Sequence, residues 1–93
     1  MTVYCVNDEY GEHLIIAASI RSLINYLIEL DTLNKDTDIV VINEDTNDCE
    51  WTTLEGFYSD CWQNTIANLT IDELNDLFFN AGLIFSKKTV IDD

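Results

Sequence analysis

Apolar residues at Ile20, Leu23, Ile24, Leu27 and Ile28 recur at i, i+3, i+4, i+7 and i+8, the stripe of a helix with one buried face. Arg21, Ser22, Asn25 and Glu29 fill the opposite face, and Ser19 stands where an N-cap belongs. Ahead of this helix, Val3–Val6 is a short β-prone run. Asn7–Glu12 carries turn chemistry with Gly11 as the positive-φ residue, and His13–Ala18 returns as a second strand, giving an N-terminal hairpin. Within Asp38–Asn43, the run Ile39-Val40-Val41-Ile42 has the pattern of a strand covered on both faces.

Glu44–Glu50 reads as a polar loop. Thr52 with Glu55 forms a capping box, and Leu54, Phe57, Tyr58, Cys61, Trp62 and Ile66 follow at near-helical spacing. Thr70 with Glu73 forms a second box, backed by Ile71, Leu74, Leu77, Phe78 and Ala81, and Gly82 sits where a C′ glycine belongs. Leu83–Ile91 is the last strand. The order β-β-α-β-α-α-β predicts an α+β fold: a small, mainly antiparallel sheet with helices on one face. No repeat, linker or low-complexity stretch divides the chain, so residues 1–93 read as a single acidic domain with a radius of gyration of about 12 Å.

Composition changes the picture through charge. The 93 residues carry 18 Asp and Glu against 4 Lys and Arg, with one His and no Pro, for a net charge of −14. An apolar content of 47% separates the chain from a disordered acidic tail. Direct nucleic-acid binding is excluded, because phosphates are neutralised by clustered Lys and Arg. Met1–Val6 lacks the basic and apolar regions of a signal peptide, and no apolar run approaches the roughly 18–20 residues of a membrane span. Three cysteines without framework spacing fit reduced thiols. The expected location is the cytoplasm, that of a host bacterium if the chain is phage-encoded.

Catalytic chemistry finds little to work with. His13, across the predicted hairpin from Asp8, reads as half of a surface pair rather than as a general base. Cys5, Cys49 and Cys61 match no zinc spacing. Cys5 and Cys61 fall on apolar stripes as small buried hydrophobes, and the acidic neighbours of Cys49 make it a poor nucleophile. Asn43, Asp45 and Asn47 alternate like the start of a calcium loop, but Asp48 replaces the glycine at the sixth position and Leu54 the glutamate at the twelfth. No enzyme activity, metal or cofactor is expected.

The carboxylates divide into those with structural work and those without. Glu55 and Glu73 complete boxes, Asp72 sits in a first helical turn, and Asp92 and Asp93 end the chain. Three runs are left: Asp8, Glu9 and Glu12; Glu29, Asp31, Asp36 and Asp38; and Glu44, Asp45, Asp48 and Glu50. Glu29 and Asp31 fall at a helix C-terminus, where negative charge is disfavoured, with Lys35 the only local compensation. Eighteen carboxylates spread evenly over about 5,500 Å² would stand roughly 17 Å apart, beyond the Debye length of about 8 Å at physiological salt. The runs bring charges inside that length, so they, rather than the total, point to a basic partner. Trp51 and Tyr10 lie beside acidic runs, a setting that suits recognition of Arg. Trp51 serves equally as a staple residue before the Thr52 cap, and Trp62 belongs to the core.

In size and charge, along its whole length, the chain resembles the acidic anti-CRISPR proteins that occupy a Cas effector's DNA-binding surface as duplex mimics. The resemblance implies that Glu44, Asp45, Asp48 and Glu50 stand in for phosphates or base-edge acceptors. Their targets would be the Arg and Lys side chains that hold DNA or read the PAM. The partner would then be a basic, nucleic-acid-binding effector such as a Cas nuclease, met by a monomer or homodimer. Two other functions fit the same composition. One is an immunity protein or antitoxin neutralising a basic nuclease toxin. The other is a non-catalytic subunit of a phage or cellular assembly, bound through apolar surface, whose binding salt would leave nearly unchanged.

Overall fold

The chain runs β1 (Thr2–Asp8), β2 (Leu14–Ala17), α1 (Ile20–Glu29), β3 (Asp38–Ile42), β4 (Cys49–Thr53), α2 (Leu54–Tyr58), α3 (Trp62–Ala67), α4 (Ile71–Phe78) and β5 (Leu83–Thr89), with 3-10 turns at Ser59–Cys61 and Phe79–Ala81. This is seen in a computed structural model that describes residues 1–8 and 14–91. The fold is α+β, as the pattern of apolar positions predicts.

β1 is the centre of an antiparallel sheet ordered β2-β1-β5, with Val6 opposite Ile15 on one side and Phe85 on the other. Alternation puts Tyr4, Val6, Ile15, Ala17 and Phe85 on one face. There they pack with Leu23, Ile24 and Leu27 of α1 and Leu74, Leu77 and Phe78 of α4. The Phe78 and Phe85 rings lie 5.8 Å apart at a tilt of 38°. Burying each such side chain contributes about 1.5–3 kcal/mol. Trp62 joins this core, as expected.

Local signals account for the ends of α1 and α4. Ser19 caps α1 by accepting from the Ser22 N–H, and Thr70 with Glu73 forms the complete box at the start of α4. Gly82 ends the following turn at φ 74°. At the end of α1, Asp31 takes φ 59°, donating its N–H to the Ile28 carbonyl while Thr32 and Leu33 return to Leu27. Asp and Asn enter this left-handed region more readily than other side chains do. This carboxylate therefore has a structural position after all.

Several expectations need correction. The Glu44–Glu50 loop is shorter than it reads, because Cys49–Thr53 forms β4 and pairs with β3 as a separate two-stranded sheet. Its Trp and two Thr favour a strand, while the acidic residues before them conceal the signal. As β3 has only β4 beside it, its two faces are not both covered: Ile39 is buried and Ile42 is 66% exposed. The cap of α2 is Thr53, whose hydroxyl accepts from the Gly56 N–H, and Thr52 is instead paired with Ile39 in the sheet. A Cβ on Gly56 would stand 2.9 Å from that capping oxygen.

The single helix expected after Thr52 is broken at Ser59, which takes φ 60° and ψ −151° and turns the chain into α3. The break also moves Cys61 out of the core. It is exposed, its Sγ donating to the Tyr58 carbonyl. The molecule is elongated rather than round, with a radius of gyration of 13.9 Å against the expected value of about 12 Å, extents of 51 × 25 × 24 Å and an accessible surface of 6266 Å².

Candidate functional site

The β3–β4 hairpin carries the Glu44–Glu50 run at its tip. Asn43 is the keystone of the turn: its Oδ1 accepts from the Asp45 and Thr46 N–H groups, and its carbonyl from the Asn47 N–H at 2.7 Å. Asn47 supplies φ 60° and lets the chain return through the Asn43–Asp48 pair. The first of the alternating oxygens that look like a calcium loop, Asn43 Oδ1, is thus occupied with the backbone. No three His, Cys, Asp or Glu among the described residues gather closely enough to hold a metal ion.

With the turn so fixed, Glu44, Asp45, Asp48 and Glu50 are all exposed. Glu50 accepts from a neutral donor, the Asn43 Nδ2 at 3.2 Å. Trp51 is also exposed, at 68%, which removes it from the core. Strand alternation sends it to the side opposite Glu50, beside its register partner Val40 and near Ile42. The hairpin tip therefore offers carboxylates, and one flank an apolar patch.

The other runs are placed less tightly. Asp36 and Asp38 lie at the base of the hairpin, roughly 17 Å from its tip at about 3.3 Å per strand residue. Glu50, opposite Val41, is only about 10 Å along the hairpin from the level of Asp38. The two runs therefore approach each other near the Debye length of about 8 Å, while their far ends act separately. Glu29 and Asp31 close α1, where Asp31 Oδ1 accepts from Asn34 at 3.4 Å. Asp8 ends β1 opposite Leu83. Glu9, Tyr10, Gly11, Glu12 and His13 lie outside the described residues, as do Asp92 and Asp93, so the hairpin-tip run and the His13–Asp8 pairing are not placed.

Cations are segregated along the chain. Between Asp36 and Ser86 there are eleven carboxylates and no Lys or Arg. Lys87 and Lys88 sit on β5 opposite Tyr4 and Val3, and Arg21, at the start of α1, donates to the Asn64 side chain at 3.1 Å. The hairpin and α2–α4 thus form a body of one charge sign.

No protein family matches the chain, and neither does a curated protein or a solved structure.

A second feature of this acidic body is nearly hidden from sequence reading. An open groove of about 470 Å³ runs between β3 and α4. Val40, Val41 and Ile42 form one wall, Leu77 the other, and Phe57 and Tyr58 meet them from α2. Glu44, Glu73 and Asp76 stand on its rim. Burial raises the Tyr58 phenol above its usual pKa, and the nearby Glu73 carboxylate adds to the shift. Glu73 reads from sequence as a capping residue, which it is, and nothing separates Asp76 from any solvated helix position. The one legible hint is spacing, since Glu73 and Asp76 at i and i+3 share a helix face with Leu77 beside them. Among the described residues no helix is long and apolar enough to cross a membrane.

Proposed function

We propose that this protein is a non-enzymatic inhibitor that binds a basic, nucleic-acid-binding surface of a host effector, of the CRISPR–Cas nuclease kind, as a DNA mimic. The observation that carries this reading is the exposed, cation-free carboxylate run at the tip of the β3–β4 hairpin, held in shape by Asn43. A rigid turn presents charges at fixed spacing, which is what bidentate Arg contacts reward. Shape adds support. The described residues hold 14 carboxylates against 4 Lys and Arg, so ten net charges lie along 51 Å, one per about 5 Å, inside the Debye length of about 8 Å at physiological salt. Such a body would draw its partner by long-range attraction and hold it through Arg and Lys side chains otherwise bound to phosphates.

The test is a pull-down from host lysate at low and high salt, run with the native chain and with a variant reversing Glu44, Asp45, Asp48 and Glu50 to Lys. Expected is capture of a nucleic-acid-binding protein that elutes as salt rises and is lost in the folded variant. Undiminished capture by the variant would remove the hairpin tip from the interface, and capture indifferent to salt would remove the mimicry.

A further inference from the structure

The hairpin has an edge with which no other described strand pairs. The Asn43 N–H donates to the Asp48 carbonyl and the Leu54 N–H to the Thr37 carbonyl. In an antiparallel ladder bonded pairs alternate, so Val41–Glu50 and Ile39–Thr52 exchange bonds between these two. Val40 and Ile42 then turn their N–H and C=O groups away from β4. Among the described residues β3 pairs with β4 alone, and no side chain donates to or accepts from those groups. The same edge is a wall of the groove described above.

The long strand of the other sheet is treated differently. On β5, Asn75 Nδ2 donates to the Phe85 carbonyl at 2.9 Å and the Phe85 N–H donates to Asn75 Oδ1 at 2.7 Å. A single amide side chain closes that edge as a neighbouring strand would. β3 carries no such plug, and instead faces an apolar channel rimmed by carboxylates.

We infer that the groove takes an extended, basic segment of a protein partner, added to the open edge of β3 as a third strand along the groove mouth. Open strand edges recruit peptides in this way, backbone bonds giving affinity and alternate side chains specificity. Val40 and Ile42 offer two donors and two acceptors. Period-two alternation sends every second side chain of the guest toward Tyr58 and Leu77, where apolar groups fit. Glu44, Glu73 and Asp76 surround the guest with negative charge and no cation lines the groove, so Lys or Arg at the remaining positions is the complementary choice. This goes beyond DNA mimicry: it needs main-chain pairing, which a phosphate mimic does not, and shares only Glu44 with the hairpin tip.

The test uses an array of decapeptides alternating Lys or Arg with Val, Ile, Leu or Phe, followed by anisotropy titration of the best binder. Ile42→Pro removes one outward donor and leaves both adjacent ladder pairs intact, a substitution edge strands tolerate. It should weaken binding at least tenfold, while Ile42→Ala stays within a few-fold. On the unaltered protein, peptides N-methylated at alternate amides should lose at least tenfold in one register and keep affinity in the other. Glu73→Gln with Asp76→Asn, which retains the capping box, should weaken binding and flatten its salt dependence. Equal affinity of both N-methylated registers, or an array no brighter than one of acidic scrambled peptides, overturns the inference. Because Ile42→Pro changes no charge, its outcome is separate from that of the hairpin-tip reversal.

Discussion

The Asn75 side-chain amide and the Phe85 backbone form a closed pair of hydrogen bonds, at 2.9 and 2.7 Å, that ties the middle of α4 to the edge of β5. Both groups are partly buried, so removing the amide strands a donor and an acceptor together. Asn75→Ala should lower stability by about 1–3 kcal/mol, read from denaturant unfolding, and speed hydrogen exchange at the Phe85 amide. Asn75→Asp keeps an acceptor for the N–H but faces the carbonyl with a second acceptor. It should lose a comparable amount above the carboxylate pKa and recover part of it on acidification.

Ser59 and Asp31 hold backbone angles that suit glycine better. Ser59 at φ 60° and ψ −151° lies in a region nearly closed to side chains, where a residue costs about 1–3 kcal/mol. Ser59→Gly should therefore stabilise the fold by about 1 kcal/mol after the entropy glycine gains on unfolding is counted. Asp31→Gly should stabilise by a similar or smaller amount: it removes a carboxylate from the C-terminal end of α1, but Asp tolerates φ 59° better than other side chains do and its bond from Asn34 is lost. Melting temperatures of the two variants check both statements, and a drop in either contradicts the geometry.

The raised Tyr58 pKa makes a prediction about alkaline pH. A phenol whose folded pKa exceeds its unfolded value near 10 binds its proton more tightly when folded. Its contribution is fully present below the unfolded pKa and is lost as pH rises through the folded one. Stability measured from pH 9 upward should thus fall more steeply in the native chain than in Tyr58→Phe. Parallel curves would mean that burial and Glu73 do not hold the phenol neutral.

Trp51 reports the local potential. In a Trp62→Phe variant, Trp51 is the only indole, exposed on the hairpin between the acidic tip and base. Cesium should quench its emission more efficiently than iodide at low salt, and the difference should vanish by 1 M, where the Debye length is about 3 Å. Equal quenching throughout would show that the hairpin carboxylates create no usable field there.

What the sequence reveals and what it hides follow the range of the forces involved. α1 is legible because its stripe and its Ser19 cap are contained in a dozen residues, and so is the Thr70–Glu73 box. β4 is hidden because Cys49-Glu50-Trp51-Thr52-Thr53 becomes a strand through pairing with β3, a contact that local composition only weakly favours. The break at Ser59 is hidden for a related reason, since no Gly or Pro announces it. Among candidate site residues, the tip run Glu44–Glu50 could be read as a cluster because its members are neighbours in the chain. The groove draws on residues from Val40 to Leu77 that meet only after α4 docks beside β3.

The face of the larger sheet turned away from the helices has its own consequence. Cys5 shares that face with its register partners Ile16 and Ser86, away from the helices, yet it is only 1% exposed. Cys49 and Cys61 are exposed. A thiol reagent should therefore find two reaction sites at once and a third only as fast as β1 parts from its neighbours. The molecule carries its own clock for opening of its central strand, with two cysteines to set the zero of time and one to measure the interval.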